Sequence, residues 1–231
     1  MDFPPMFQFA LFHIIELILE IFMFHISRHS VLVQGFIGHF ILYEVGQNIC
    51  LHITMRLIIA NFDRQHIVTK KQVVAAVQRL PYSHYSGIRA IRYDPYRTLA
   101  TNLSFIQQKS YSQRAKGLYY HEQELSVIII FQFRTMAQFY HILYHEIGHY
   151  VFLRVLTQEQ RNQWFYTIRP SEKNCISDQA KQNSREDFAE TYAYYCTVPS
   201  QLKILPNKAT YFQDAVFSGK TLQPLYTVPQ K

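Results

Sequence analysis

Charged residues and cysteines are both scarce in this 231-residue sequence, and each scarcity excludes a class of protein. Asp, Glu, Lys and Arg make up 17% of the chain and apolar residues 48%, which excludes an intrinsically disordered protein. The three cysteines, Cys50, Cys175 and Cys196, form no C-x-x-C pair, so a cysteine-based zinc site and a dithiol redox motif are excluded. Cys175 and Cys196 fit either a disulfide in an oxidising compartment or two free buried thiols.

No run of clustered Lys or Arg occurs, although the chain carries a net charge of +7. The positive charge is concentrated after residue 60, where 21 basic residues stand against 12 acidic ones. Because there is no basic cluster and no nucleic-acid-binding motif, this excess predicts a generally basic surface and no nucleic-acid partner.

Residues 1–60 form a hydrophobic N-terminal segment that differs in composition from the rest of the chain. The stretch 7–26 is long enough for one membrane crossing, but Glu16 and Glu20 each oppose insertion by about 2.5–3.5 kcal/mol. Two interpretations stay open. The segment is either membrane-associated through residues 7–26, which favours a secreted or membrane-associated location over a cytoplasmic one, or an upstream extension of a working protein that starts near Met55.

Residues 61–231 carry the periodic patterns of helices and strands and are predicted to form one domain. Thr69 is the predicted N-cap of a helix over 70–80. Ser184 is the predicted N-cap of a helix that runs to Cys196, with Asp187 as its capping-box partner. Further helices are predicted over 135–156, 158–166 and 206–217, and strands over 88–93, 118–125 and 127–131. Strands followed by helices predict an α+β domain.

The motif His145-Glu-Ile-Gly-His149 lies within the predicted helix 135–156. Residues four apart share a helix face, so His145 and His149 can direct both imidazoles at one metal ion. Glu146, about 100° round the helix, can reach a water bound to that ion and act as a base. Gly148 leaves one side of the helix open to another backbone. This H-E-x-x-H pattern is typical of zinc metallopeptidases, and its apolar flanks argue against a solvated polar face.

No histidine follows His149, so a third metal ligand further along the chain must be a carboxylate or a thiolate. The segment Glu186-Asp-Phe-Ala-Glu190 places two acidic side chains on one face of a predicted helix, beside small residues that allow close packing. Glu186 is the predicted ligand, and Glu190 is predicted to hold the outer N–H of a ligating histidine. Asp187 is the second choice as ligand, and an ordinary solvated acidic face is the alternative to both.

Together the two motifs resemble the glutamate-ligand zincins (gluzincins), and the second is most similar to the anthrax lethal-factor and Pro-Pro endopeptidase group. The resemblance covers residues 120–198. It implies a zincin-like metallopeptidase domain with a mixed sheet packed on the H-E-x-x-H helix, a second helix that supplies the third ligand, and a substrate-binding edge strand within 118–131. It also implies His145, His149 and Glu186 as zinc ligands and Glu146 as the catalytic base.

Two neighbouring positions are open to more than one interpretation. In the lethal-factor group a tyrosine seven residues before the ligand glutamate helps to stabilise the oxyanion, and Gln179 stands at that position here. His141, one turn before His145, fits either support of the site or a partly buried histidine. The remaining candidates for the oxyanion role are Tyr166, Tyr194 and Tyr195.

We therefore expect a zinc-dependent endopeptidase, a hydrolase that cleaves peptide or protein substrates with a metal-activated water and Glu146 as general base. A catalytically silent zinc-binding module of regulatory or toxin-like type is the alternative. A third interpretation is a membrane protein whose soluble part only resembles a zincin.

Overall fold

The computed structural model describes residues 57–99, 115–122, 125–220 and 222, all of which belong to one compact unit. Apart from its last four residues, the hydrophobic segment 1–60 lies outside the described part of the chain. Both interpretations of that segment therefore stay predictions. Among the described residues, no helix has the length and the apolar character that a membrane crossing needs.

The described strands form one mixed sheet of four strands, in the order β1-β2-β4-β3. They are β1 (Ile58–Ala60), β2 (Ala90–Tyr93), β3 (Gly117–Glu122) and β4 (Leu125–Ile130). β1, β2 and β4 run parallel, whereas β3 pairs antiparallel with β4 and forms an edge of this sheet. The run from Val127 to Ile130 in β4 is apolar and buried, as expected for an inner strand that is covered on both faces.

The described α-helices follow the predicted pattern closely. They are α1 (Lys70–Gln78), α2 (Met136–Tyr150), α3 (Gln158–Gln163), α4 (Ser184–Thr197) and α5 (Pro206–Tyr211). Single π-helical turns extend α2, α3 and α5 over Val151–Val155, Trp164–Ile168 and Phe212–Val216. The predicted N-cap Thr69 is confirmed, because its side chain accepts from the N–H of Gln72 and forms a capping box with it. Helices together with a mixed sheet confirm the predicted α+β class.

The N-cap of α4 differs from the prediction. Ser184 is the first helical residue, and Asn183 is the cap: its Oδ1 accepts the N–H groups of Arg185 and Glu186 at 2.9 and 3.0 Å. Asparagine and serine cap equally well, so sequence alone does not separate neighbours of these two types. Asp187 is therefore not a capping-box partner of Ser184.

Close packing of α2 against α4 depends on Gly148. A Cβ atom at this position would lie 2.9 Å from the Cα atom of Ala189 and 3.1 Å from the Cβ atom of Tyr192. The two helices can approach this closely only because residue 148 has no side chain. α2 also contacts β3 and β4. The H-E-x-x-H helix is thus held by the sheet and by the helix that carries the predicted third ligand.

His84 links three parts of the fold through both of its ring nitrogens. It lies in the 3-10 turn Tyr82–His84 and is almost fully buried. Its Nδ1 is 2.8 Å from the hydroxyl of Tyr192 in α4, and its Nε2 is 3.0 Å from the carbonyl oxygen of Val216. Burial lowers the pKa of His84 to about 4, so the ring is neutral near pH 7.

The buried neutral His84 makes stability depend on pH. Its pKa is about 4 in the folded chain and about 6.5 when unfolded, so the unfolded chain binds more protons between these values. The contribution of His84 is therefore fully present above pH 6.5 and is lost as pH falls towards 4. Between pH 7 and pH 5 we expect a loss of about 2 kcal/mol in the free energy of unfolding.

Urea unfolding at both pH values checks this expectation. His84→Gln should lack this part of the pH dependence, whereas the control His66→Gln, at an exposed histidine, should retain it. Equal pH dependence in wild type and His84→Gln would show that His84 does not carry the effect.

Candidate metal centre

The two histidines of the H-E-x-x-H motif face the same point. His145 is buried and His149 half-buried, one turn apart on α2, with their rings edge to face. Their Nε2 atoms are 3.1 Å apart. Two nitrogen lone pairs at this distance repel each other unless a proton or a cation lies between them.

A carboxylate from α4 completes the arrangement. Glu186 lies in the first turn of this helix, where Asn183 caps its backbone N–H. Its Oε2 is 3.2 Å from Nε2 of His145, and its Oε1 is 3.4 Å from Nε2 of His149. We refer to the three side chains of His145, His149 and Glu186 as the His/His/Glu group.

The spacing within the His/His/Glu group fits a zinc ion. Zinc binds histidine nitrogen and carboxylate oxygen at about 2.0–2.2 Å with tetrahedral geometry, which places ligand atoms about 3.3 Å from one another. Here the two Nε2 atoms are 3.1 Å apart, Oε2 of Glu186 is 3.2 Å from Nε2 of His145, and its Oε1 is 3.4 Å from Nε2 of His149. Among the described residues, this is the group whose side chains lie close enough together to hold a metal ion. Three protein ligands leave one tetrahedral position for water or substrate, as in catalytic zinc sites.

Glu190 holds the outer side of His145. Its Oε1 is 2.8 Å from Nδ1 of His145 and 3.0 Å from Nε2 of His141, and its Oε2 accepts the hydroxyl of Ser177 at 2.6 Å. A carboxylate on Nδ1 fixes the tautomer that leaves the Nε2 lone pair free for a metal ion. Glu190 therefore lies where the sequence predicts it, and His141 contacts the same carboxylate.

Hydrogen bonds between the histidines and the carboxylates shift the pKa values of the group. Burial lowers the pKa of His145, but hydrogen bonds to Glu186 and Glu190 outweigh it and raise this pKa to about 10. Burial raises the pKa values of Glu186 and Glu190, but their hydrogen bonds to the histidines outweigh it and hold both pKa values well below the usual range. The carboxylates are thus ionised, and a metal ion that binds here must displace the proton on His145.

Glu146 lies between α2 and the edge strand β3. It is 6% exposed, and the backbone N–H of Tyr119 donates to its carboxylate. Burial raises the pKa of Glu146, and the positive charges of His145 and His149 oppose this only in part. A carboxylate with a raised pKa is suited to accept a proton near neutral pH.

Gly117 gives Glu146 its place against β3. A Cβ atom at residue 117 would lie 2.6 Å from Oε1 and 2.9 Å from Cγ of Glu146, and 2.8 Å from Cγ2 of Ile142. The absence of a side chain at this position is therefore part of the site. Sequence reasoning missed Gly117, since nothing in the local pattern says which strand residue meets the helix.

Gly117→Ala should displace the carboxylate of Glu146 and leave the His/His/Glu group in place. A shift of about 1 Å in a catalytic group can cost about 100-fold in rate. With Glu146 as the base that the sequence predicts, we expect kcat/KM to fall by about that factor. Zinc affinity should stay unchanged, because the three atoms nearest to the added Cβ belong to Glu146 and Ile142 and not to the His/His/Glu group. Steady-state kinetics and a competitive zinc titration check both parts, and wild-type rates in the folded variant would contradict the assignment.

Two surface hollows meet at the His/His/Glu group. They have volumes of about 360 and 460 Å³, within the range of ligand-binding sites. One extends past Lys116, His141 and Ser177, and the other past Tyr119, His121 and Arg185. The residues that line both are Ala115, Gly117, His145, Glu146 and Gln179. Glu146 therefore faces a cleft that continues on both sides of the candidate metal position.

Asp187, the second choice as third ligand, lies outside the His/His/Glu group. Its side chain is fully buried, and both carboxylate oxygens are 2.8 Å from Nζ of the buried Lys208. This ion pair holds the first turn of α4 against α5. Removal of Asp187 would leave the buried ammonium group of Lys208 without its carboxylate partner, whereas Asp187 also has Arg169, whose Nε is 3.4 Å from its Oδ2. Asp187 thus supports the helix that presents Glu186.

The three tyrosines that the sequence offered for the oxyanion role lie in different environments. Tyr166 is 80% exposed, Tyr194 packs its ring on His141, and Tyr195 stacks on Phe217. None of the three lines the two hollows.

Cys175 and Cys196 are free thiols, so the disulfide alternative is wrong.

Comparison with protein-family models, with curated proteins and with solved structures finds no match to this chain. A functional assignment therefore depends on the chemistry of the site itself.

Proposed function

We propose that this chain is a zinc-dependent endopeptidase with a zincin-like fold, whose zinc ion is held by His145, His149 and Glu186. The convergence of these three side chains carries the proposal: the two Nε2 atoms are 3.1 Å apart, and each has one carboxylate oxygen of Glu186 at 3.2 or 3.4 Å. The site also contains what metal binding alone does not need. Glu146, buried and with a raised pKa, lies beside the metal-binding side chains in a cleft. This second feature favours an enzyme over a silent zinc-binding module.

The edge strand β3 gives the cleft a means of binding peptides. β3 pairs with β4 on one side and lies at the end of the described sheet. An extended peptide can add to such an edge through main-chain hydrogen bonds, largely independent of its side chains. Gly117 and Tyr119 of β3 border the cleft next to Glu146. A peptide bound along β3 would thus present a main-chain carbonyl to the His/His/Glu group.

The proposed chemistry assigns one proton path to Glu146. A bound zinc ion would lower the pKa of a water molecule and polarise the carbonyl of the scissile bond. Glu146 takes a proton from the attacking water as the new C–O bond forms, and then passes it to the amine nitrogen as the C–N bond breaks. The N–H of Tyr119 and the contact with Gly117 orient the carboxylate for both transfers.

Glu190 and its hydrogen-bond partners hold His145 in the tautomer and orientation that metal binding needs. By accepting from Nδ1 of His145, Glu190 maintains the tautomer that binds metal through Nε2. Ser177 and His141 satisfy the remaining acceptor sites of the same carboxylate. Such partners of ligating histidines typically contribute about 10- to 100-fold in metal affinity or activity.

Digestion of a peptide library by the zinc-loaded full chain tests the proposal. We expect cleavage within the peptides, loss of cleavage when a zinc chelator is added, and recovery when zinc is restored. Zinc binding without cleavage of any peptide would support the silent module instead. Cleavage that is insensitive to the chelator would contradict a metal-dependent mechanism.

A further inference from the structure

The side-chain amide of Gln179 lies against the His/His/Glu group. Its Nε2 is 3.0 Å from Oε2 of Glu186, to which it donates, and 3.3 Å from Nε2 of His145. These distances are close to those between the side-chain atoms of the His/His/Glu group. The amide is therefore within reach of a small group bound next to the metal position. Gln179 belongs to the loop that connects the π-helical turn after α3 to α4.

Contacts on both sides of Gln179 hold this loop in place. The hydroxyl of Ser177 donates to Glu190 and accepts the backbone N–H of Ala180 at 3.1 Å. Ala180 is fully buried. The backbone that carries Gln179 is thus fixed to the same carboxylate that orients His145, and its amide needs no large movement to act in the cleft.

The location of Gln179 along the cleft is equally informative. Both hollows are lined by Ala115, Gly117, His145, Glu146 and Gln179. A peptide that extends through both hollows would place its scissile bond beside these residues. Ala115 and Gly117 have no polar side chain, and Glu146 is an acceptor when ionised. Nδ1 of His145 is bonded to Glu190, and its Nε2 would be occupied by the metal ion. Among these five residues, Gln179 is the one whose side chain can donate a hydrogen bond to a substrate.

We propose that Gln179 is a catalytic residue that donates a hydrogen bond to the carbonyl oxygen of the scissile peptide. The role rests on the proposed peptidase function. One N–H of the amide stays on Glu186. The second lies near Nε2 of His145 and turns to the substrate oxygen when that nitrogen binds the metal ion. Negative charge develops on this oxygen as water adds to the carbonyl carbon, so the hydrogen bond strengthens in the transition state. The amide neither gains nor loses a proton in this step.

Kinetics of Gln179→Ala test the role, with Gln182→Ala as the matched control from the same loop. Gln182 is exposed and lines neither hollow. On a peptide that wild type cleaves, we expect Gln179→Ala to lower kcat by about 10²- to 10³-fold, as removal of one oxyanion donor does elsewhere, with little change in KM. Gln182→Ala should behave as wild type. Affinity for a phosphonate analogue of the cleaved peptide should fall with kcat in Gln179→Ala.

Measurements of metal binding distinguish a catalytic role of Gln179 from a role as metal ligand, which activity alone cannot do. Gln179→Ala also removes the hydrogen bond to Glu186, so zinc affinity should fall by no more than the about 10- to 100-fold that such a partner contributes. The visible absorption spectrum of the cobalt-substituted protein should keep the bands of wild type, and kcat is compared at saturating zinc. A larger loss of affinity or a spectrum of changed coordination would instead make Gln179 a metal ligand, and an unchanged kcat would leave it without a role in the reaction. A wild-type chain that cleaves no peptide overturns the peptidase proposal and this role with it. Normal wild-type cleavage together with a fully active Gln179→Ala overturns the role alone.

Discussion

Replacement of Glu146 by glutamine should abolish peptide cleavage and leave zinc binding intact. The amide has the shape of the carboxylate but cannot accept a proton from water. General-base catalysis typically contributes about 10²- to 10⁴-fold, and we expect kcat/KM to fall by at least that range. Zinc should remain bound, because Glu146 is not among the side chains of the His/His/Glu group.

Two measurements separate this outcome from simple misfolding. Zinc stoichiometry and the thermal unfolding midpoint of Glu146→Gln should match those of wild type. Glu159→Gln, at an exposed position on α3, is the matched control and should cleave normally. If Glu146→Gln cleaved as fast as wild type, the proposed proton path would be wrong.

Glu186→Ala should lose zinc. The substitution removes the one carboxylate that approaches both Nε2 atoms, at 3.2 and 3.4 Å, and leaves a site with two protein ligands. Loss of a partner that only orients a ligand costs about 10- to 100-fold in metal affinity, so loss of a ligand should cost more. We expect zinc affinity to fall by more than about 100-fold, as measured by competition with a chromophoric chelator.

Variants of two other glutamates test whether the loss of zinc is specific to Glu186. Glu190→Ala should weaken zinc binding less than Glu186→Ala, since Glu190 contacts His145 through its outer nitrogen. Glu159→Ala should leave zinc affinity unchanged. Wild-type affinity in Glu186→Ala would assign the third ligand to another residue, and an equal loss in Glu159→Ala would attribute the effect to the fold as a whole.

Features that depend on local spacing could be predicted from sequence. The i, i+4 relation of His145 and His149 places both imidazoles on one side of α2 wherever that helix lies. The small residues Gly148 and Ala189 indicated a close helix contact, and the structure places one against the other. Glu190 followed in the same way, because it lies one turn beyond Glu186 on the same helix face.

Features that depend on partners distant in the chain could not be predicted. Asp187 and Glu186 are adjacent acids on α4, and only the burial of Lys208 against Asp187 shows that this carboxylate is bound elsewhere. Gly117 lies in an ordinary strand pattern, and its role follows from the approach of Glu146. Gln179 is singled out in the sequence only by its spacing from Glu186, and its approach to Nε2 of His145 from a polar loop could not be predicted. In each case contacts with residues far along the chain, and not the residue type alone, determine where the side chain lies relative to the site.

Zinc K-edge X-ray absorption of the zinc-loaded full chain tests directly whether His145, His149 and Glu186 bind zinc. We expect one zinc ion per chain, surrounded by nitrogen and oxygen at about 2.0–2.2 Å, with the outer-shell scattering of two imidazoles and without sulfur. A sulfur neighbour at about 2.3 Å, or a chain that binds no stoichiometric zinc, would contradict a zinc site formed by His145, His149 and Glu186.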